Sequence, residues 1–220
     1  MASGRSRLLL FHALLASSVA GCASESGDAA RGEADPATGA EAVTAKPCLA
    51  TDTSLFFHGL SGYGRELAQP GLCVPAVDNG GASGFWSDVA YTRAAGAAVV
   101  GGYSAGRIPL VRRLAKGEGL EPTAVMLDPS YADGARFDGR TGPDIVDEWL
   151  DDDAARRFVL VYVPSSAGWH EYAALRAGVH GQQVTVCPIA GGHSHLELPA
   201  LVTAKLFADP DAWVAERCAR

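Results

Sequence analysis

Apolar residues in this chain gather in short blocks, and between the blocks they recur at helical spacing. Thr53-Ser54-Leu55-Phe56-Phe57 ends in His58-Gly59-Leu60-Ser61-Gly62, and Leu72-Cys73-Val74-Pro75-Ala76-Val77 ends in Asp78-Asn79-Gly80-Gly81. Ala97 to Val100 runs into Gly101-Gly102, Ala124 to Leu127 stops at Asp128-Pro129, Phe158 to Val163 is unbroken, and Val184-Thr185-Val186 comes last. Short apolar runs stopped by loop residues predict strands buried on both faces. Ile108 to Ala115, Pro143 to Arg157, Trp169 to Ala177 and Pro199 to Phe207 are predicted as helices. Arg112, Arg113 and Lys116 stand late in the first of them, where cations suit the helix dipole. Strands alternating with helices predict an α/β fold, a mostly parallel, doubly wound sheet with helices on both faces.

That alternation is missing from the N-terminus. Arg5 and Arg7 precede an apolar run from Leu8 to Leu15, and small residues follow to Gly21, the order of a secretory signal. The run is too short to span a bilayer stably. Its end, Val19-Ala20-Gly21-Cys22, resembles the bacterial lipobox, which implies cleavage before Cys22 and a lipid on that cysteine. Residues 23–46 are mostly Ala, Gly, Ser, Thr and acidic side chains, too poor in apolar surface to offset the entropy of ordering them. They read as a tether reaching about 25 to 30 Å. The expected organisation is a signal peptide over 1–21, a lipid-anchored tether over 22–47 and one globular domain over 48–220. The protein is thereby expected to be exported and membrane-anchored, on the periplasmic side or the cell surface.

Composition narrows the partners. With 220 residues and 48% hydrophobic content the chain can bury one core. Net charge is −7 and Lys and Arg form no cluster, so nucleic acid is not an expected partner. Beyond Cys22, the cysteines are Cys48, Cys73, Cys187 and Cys218, an even set suited to disulfides in an oxidising compartment. Four cysteines allow three pairings. None has a basic or helix-start setting that would favour a thiolate nucleophile.

The candidate chemistry lies where the third block meets the first helix. Gly102-Tyr103-Ser104-Ala105-Gly106 matches G-x-S-x-G, in which a serine at a strained strand-to-helix turn presents its hydroxyl and the glycines avoid collisions. Ser104 is the candidate nucleophile. Gly191-Gly192-His193-Ser194-His195 follows the last strand and offers two general bases. His-x-His also suits zinc, which needs a third ligand; the sequence shows no matching cluster, but His58, His170 and His180 keep that weaker reading open.

From Ser54 to Phe207 the chain resembles a compact α/β-hydrolase of the serine esterase or lipase kind, with serine, acid and histidine in that order. The resemblance implies a reduced fold lacking the first hairpin strands and any sizeable cap. It favours His193, directly after Gly-Gly, as the base, with His195 as the alternative. Most hydrolases place the acid after the penultimate strand, but Pro164-Ser165-Ser166-Ala167-Gly168-Trp169-His170 offers none there, and Glu171 falls inside a predicted helix. Asp128, after the preceding strand, is the expected acid, with Asp133 second and a Ser-His dyad the remaining option. The resemblance places the oxyanion hole at the Ala105 N–H and at Leu60 or Ser61. It also implies disulfides pairing Cys48 with Cys73 and Cys187 with Cys218.

The expected activity is that of an extracytoplasmic serine hydrolase cleaving a carboxylic ester or related small acyl substrate through an acyl-enzyme, with no cofactor and no metal. The alternatives are a serine peptidase or amidase on the same fold, and a lipid-anchored binding protein that keeps the fold without catalysis. Phe85, Trp86, Tyr103, Tyr131 and Trp169 fall near predicted loop mouths, as acyl-pocket lining or as core. Arg107, just past the elbow, is either an anion binder or a solvated or ion-paired helix residue.

Overall fold

The computed structural model describes residues 51–59, 69–74, 97–117, 121–129, 137–202 and 205–218. The signal, the tether, Cys22, Cys48, Leu60, Ser61, Phe85, Trp86, Tyr131 and Asp133 lie outside the described residues.

Six strands form one sheet: β1 (Ser54–Phe57), β2 (Leu72–Cys73), β3 (Val99–Tyr103), β4 (Thr123–Leu127), β5 (Arg157–Tyr162) and β6 (Val184–Pro188). Their spatial order is β2-β1-β3-β4-β5-β6 and every neighbouring pair is parallel. This is the parallel, helix-covered α/β sheet that the alternation of strands and helices predicts. The chain steps outward from β1 to β2 and then returns across β1 to start β3, so its direction of winding reverses between β1 and β3. Ligand crevices of open α/β sheets lie at the carboxyl ends of the strands flanking such a reversal. Here those ends are His58-Gly59 and Ser104.

Helices α1 (Arg107–Lys116), α2 (Gly142–Asp151), α3 (His170–Ala174), α4 (Leu198–Leu201), α5 (Lys205–Ala208) and α6 (Pro210–Arg217) cover the sheet. Side-chain alternation along the strands sorts the core into two layers. Ala124, Met126, Phe158 and Leu160 pack with Leu110 of α1 and Ile145 and Trp149 of α2. Val125, Leu127, Val159 and Val161 pack instead with Leu198, Phe207 and Trp213 from α4, α5 and α6. Gly101 sits under Phe207, where a β-carbon would come within 2.6 Å of the ring, so a bare backbone there lets α5 close onto β3.

Three predicted helices are shorter than their apolar spacing suggests. In place of Pro143 to Arg157, α2 starts at a capping box between Thr141 and Asp144 and ends at Asp151. Arg157 is drawn into the sheet, its N–H donating to Pro122 O at 2.8 Å. In place of Pro199 to Phe207, an extended Val202 separates α4 from α5. In place of Trp169 to Ala177, α3 tightens after Ala174 into a 3₁₀ turn. The last helix, α6, lies beyond all those predicted and is capped by Asp209, whose carboxylate accepts from Ala212 N–H at 3.0 Å. Cys187 of β6 is bonded to Cys218, the residue after α6, with Cα atoms 5.1 Å apart. That is one of the two expected pairs; Cys73 is also disulfide-bonded, with its partner outside the described residues.

Candidate active site

Strand β3 delivers Ser104 directly into a 3₁₀ turn, Ser104–Gly106, that continues as α1. To make that turn Ser104 takes φ +53°, left-handed backbone that a residue with a β-carbon seldom adopts. The glycines of the motif have steric reasons. A β-carbon on Gly102 would lie 2.5 Å from Gly106 O, and one on Gly106 would collide with the Phe57 carbonyl oxygen at the end of β1. Gly59 is packed as closely, since its β-carbon would stand 2.9 Å from the Tyr103 ring and 3.2 Å from Ser104 Cβ. The end of β1 and the elbow are therefore pressed together, and only glycines permit it.

Ser104 is 6% exposed, and its Oγ lies 2.9 Å from His195 Nε2. His195 Nδ1 lies 2.7 Å from Asp128 Oδ2. Asp128 follows β4, the strand next to β3, with φ +40° and 0% exposure. A buried carboxylate is costly unless hydrogen bonds replace its water. Its Oδ1 accepts from Val163 N–H at 3.4 Å and from the Ser166 hydroxyl, leaving Oδ2 for the imidazole. With Asp128 on Nδ1, the proton of neutral His195 belongs on that nitrogen and Nε2 is free to accept from Ser104.

The favoured base from the sequence, His193, is not brought to Ser104. Past Gly191 and Gly192, with φ +108° and +72°, the chain reverses and the His193 ring folds back over Gly191. His193 Nδ1 stands 3.9 Å from Glu197 Oε2. Two residues later a 3₁₀ turn, His195–Glu197, begins under a capping box in which Glu197 Oε2 accepts from Ser194 N–H at 2.6 Å. That hydrogen bond, with a further one from the Ser194 side chain, holds the Glu197 carboxyl below its ordinary pKa. This turn aims His195 at the elbow, and the reading of the base moves from His193 to His195.

Tyr103, the residue before the nucleophile, is buried in the core and also reaches the histidine loop. Its hydroxyl donates to His195 O at 2.8 Å and its ring stacks on the His195 ring, centroids 5.0 Å apart. Nothing in the motif marked that role, because the second position of G-x-S-x-G is unrestricted. In the sequence, Ser165 and Ser166 mark only the place where an acid is missing. Trp169 stacks between Tyr162 and His170, at 4.0 and 3.6 Å. Arg107 is not solvated: it is 4% exposed, beside the Tyr172 phenol. Burial pushes the Tyr172 phenol up to about 12, opposed by the Arg107 guanidinium beside it. Of the remaining histidines, His58 Nδ1 lies 2.6 Å from Gly59 O and His180 Nδ1 lies 3.1 Å from Gln183 Oε1.

Ala105, whose N–H is the expected oxyanion donor, opens the helical run with Ser104. First-turn amides of a helix have no partner within it, and they carry the positive end of its dipole. The expected second donor, at Leu60 or Ser61, lies outside the described residues.

The chain matches no protein-family model and none of the curated proteins. Among solved structures it is similar to the S-formylglutathione hydrolase FrmB of Staphylococcus aureus, at 13% identity and TM-score 0.46, over 75% of this chain and 84% of that one. It is also similar to the fluorophosphonate-binding serine hydrolase FphF of Staphylococcus aureus, at 13% identity and TM-score 0.45, over 79% of this chain and 88% of that one. A third is Est1E from Butyrivibrio proteoclasticus, at 13% identity and TM-score 0.40, over 76% and 88%. At such identity and superposition, function has to be read from this chain's own site.

Proposed function

We propose that this protein is a serine hydrolase that cleaves carboxylic esters or related acyl compounds. The observation that carries the reading is the unbroken chain from Ser104 Oγ to His195 Nε2 at 2.9 Å and from His195 Nδ1 to Asp128 Oδ2 at 2.7 Å. Ser104 Oγ attacks the substrate carbonyl carbon as its proton passes to His195 Nε2. Asp128 stabilises the imidazolium that forms and keeps the ring oriented. The carbonyl oxygen, now negative, is met by the Ala105 N–H, a donor type commonly worth about a hundredfold in rate. Collapse expels the alcohol, which takes the proton from His195, and leaves an acyl group on Ser104. Water then gives a proton to His195 and attacks the acyl carbon, which releases the acid and restores Ser104.

A fluorophosphonate probe tests the reading, because it phosphonylates only a serine activated in this way. The parent chain is expected to be labelled and to hydrolyse p-nitrophenyl acetate, and Ser104→Ala to do neither. A folded parent chain that takes no label and turns over no ester would support the binding-protein alternative instead.

A further inference from the structure

The turn after β5 supplies no acid, yet it touches Asp128 and the loop that carries His195. Ser166 Oγ donates to Asp128 Oδ1, on the opposite side of the carboxylate from His195. Ser165 Oγ donates to His193 O at 2.9 Å, on the backbone of the loop that carries His195. The turn is itself anchored, since Ser166 N–H donates to Val163 O at 3.0 Å, Val163 N–H donates to Asp128 Oδ1, and the Trp169 indole donates to Ser166 O at 3.0 Å. Acid and base come from segments 67 residues apart, one after β4 and one after β6, with β5 between them in the sheet. The turn at the end of β5 is the piece of chain that lies between them.

We propose that Ser165 and Ser166 form a positioning clamp, Ser166 fixing the rotation of the Asp128 carboxylate and Ser165 fixing the loop that presents His195. The proposal rests on the hydrolase reading for its consequence in catalysis, and on geometry alone for the clamp. A carboxylate on a β-carbon turns about one soft torsion. With Val163 N–H and Ser166 on Oδ1, the Oδ2 lone pairs are held toward Nδ1. The Ser166 hydroxyl also lies 2.9 Å from Val163 O, but it has one proton, and the charged acceptor is the stronger claim on it. Donation from Ser166 also draws negative charge toward Oδ1. Removing it leaves more charge facing His195, which favours the imidazolium and raises the pH at which Nε2 becomes free to accept.

Steady-state hydrolysis of p-nitrophenyl acetate across pH by the full chain tests this, with Ser166→Ala, Ser166→Thr and Ser165→Ala compared with the parent. Ser166→Ala is expected to lower kcat roughly tenfold, the scale of one hydrogen bond to a charged group, with KM little changed. Its acid limb should move to higher pH, and Ser166→Thr, which keeps the hydroxyl, should restore both. Ser165→Ala touches no ionising group, so it should lower kcat less and leave the acid limb in place. Among the described residues, the other titratable side chains at this loop are Tyr103, stacked on His195, with His193 and Glu197 on either side, and all are untouched by these changes. Ser166→Ala with the parent's kcat and acid limb overturns the proposal, as does a folded Ser166→Thr that behaves like the alanine variant. The downfield proton resonance of His195 Nδ1–H reads the clamp without turnover. It should shift in Ser166→Ala and return in Ser166→Thr, even if the parent proves to hydrolyse nothing and the hydrolase reading falls.

Discussion

The two loop histidines differ by two positions and by everything that matters to Ser104. His195 stacks on Tyr103 and joins Ser104 to Asp128, whereas His193 is turned toward Glu197. His195→Gln should therefore cut kcat/KM for p-nitrophenyl acetate by about 10³-fold or more, the loss expected when a triad member goes. His193→Gln, which gives up only a half-exposed contact to Glu197, should stay within about twofold of the parent, as partly solvated ion pairs contribute little. Equal losses in both would return the base to doubt. Ser104 and Asp128 were legible in the sequence because each ends an apolar strand, and strand ends are set by patterns a few residues long. The choice between histidines was not. It turns on two positive-φ glycines and a cap at Ser194, which redirect the chain without any periodic trace. Ser166 was hidden for another reason: a hydroxyl that serves a carboxylate 38 residues away leaves no local signature.

Among the elements, the strands were read closely and the helices overrun. Apolar blocks report burial, and each of the six contributes a strand to the sheet, the second only through Leu72–Cys73 among its described residues, but helical spacing says nothing of where a cap or an extended residue such as Val202 intervenes. The short 3₁₀ turn His195–Glu197 is an element of consequence because its first residue is the proposed base. Its capping box depends on an ionised Glu197, whose pKa is lowered chiefly by the Ser194 N–H, then by the Ser194 hydroxyl, and least by His193. A carboxyl with a depressed folded pKa stabilises above its unfolded value and loses that contribution as pH falls through the folded one. The turn should thus be intact at neutral pH and loosen only below the ordinary glutamate range. Glu197→Ala should loosen it at every pH, seen as a severalfold fall in kcat with KM little changed and faster proteolysis within 191–197. Unchanged proteolysis and turnover would show that the box does not hold the base.

For the whole molecule, the disulfide between Cys187 and Cys218 ties the C-terminal helix α6 to the edge strand β6 across 31 residues of chain. A loop of that length corresponds to about 3.5 kcal/mol of unfolded-state entropy. Cys187→Ser with Cys218→Ser should lower Tm by about 10 °C in a thermal melt. Ester turnover at 25 °C should survive, since Ser104, His195 and Asp128 are held from elsewhere. A melt unchanged by the double substitution would mean that packing of Trp213 alone secures α6. A different tension runs through the left-handed residues. Of the three described non-glycine residues with positive φ, Asp138 belongs to a tight turn before Gly139, and the other two are Ser104 and Asp128. Glycine would relax either backbone, and it would delete the proposed nucleophile at Ser104 and the proposed acid at Asp128. Heat tolerance and turnover thus ask for opposite residues at the same two positions, and a variant library sorted for survival at high temperature alone would drift toward a sturdier, inert protein.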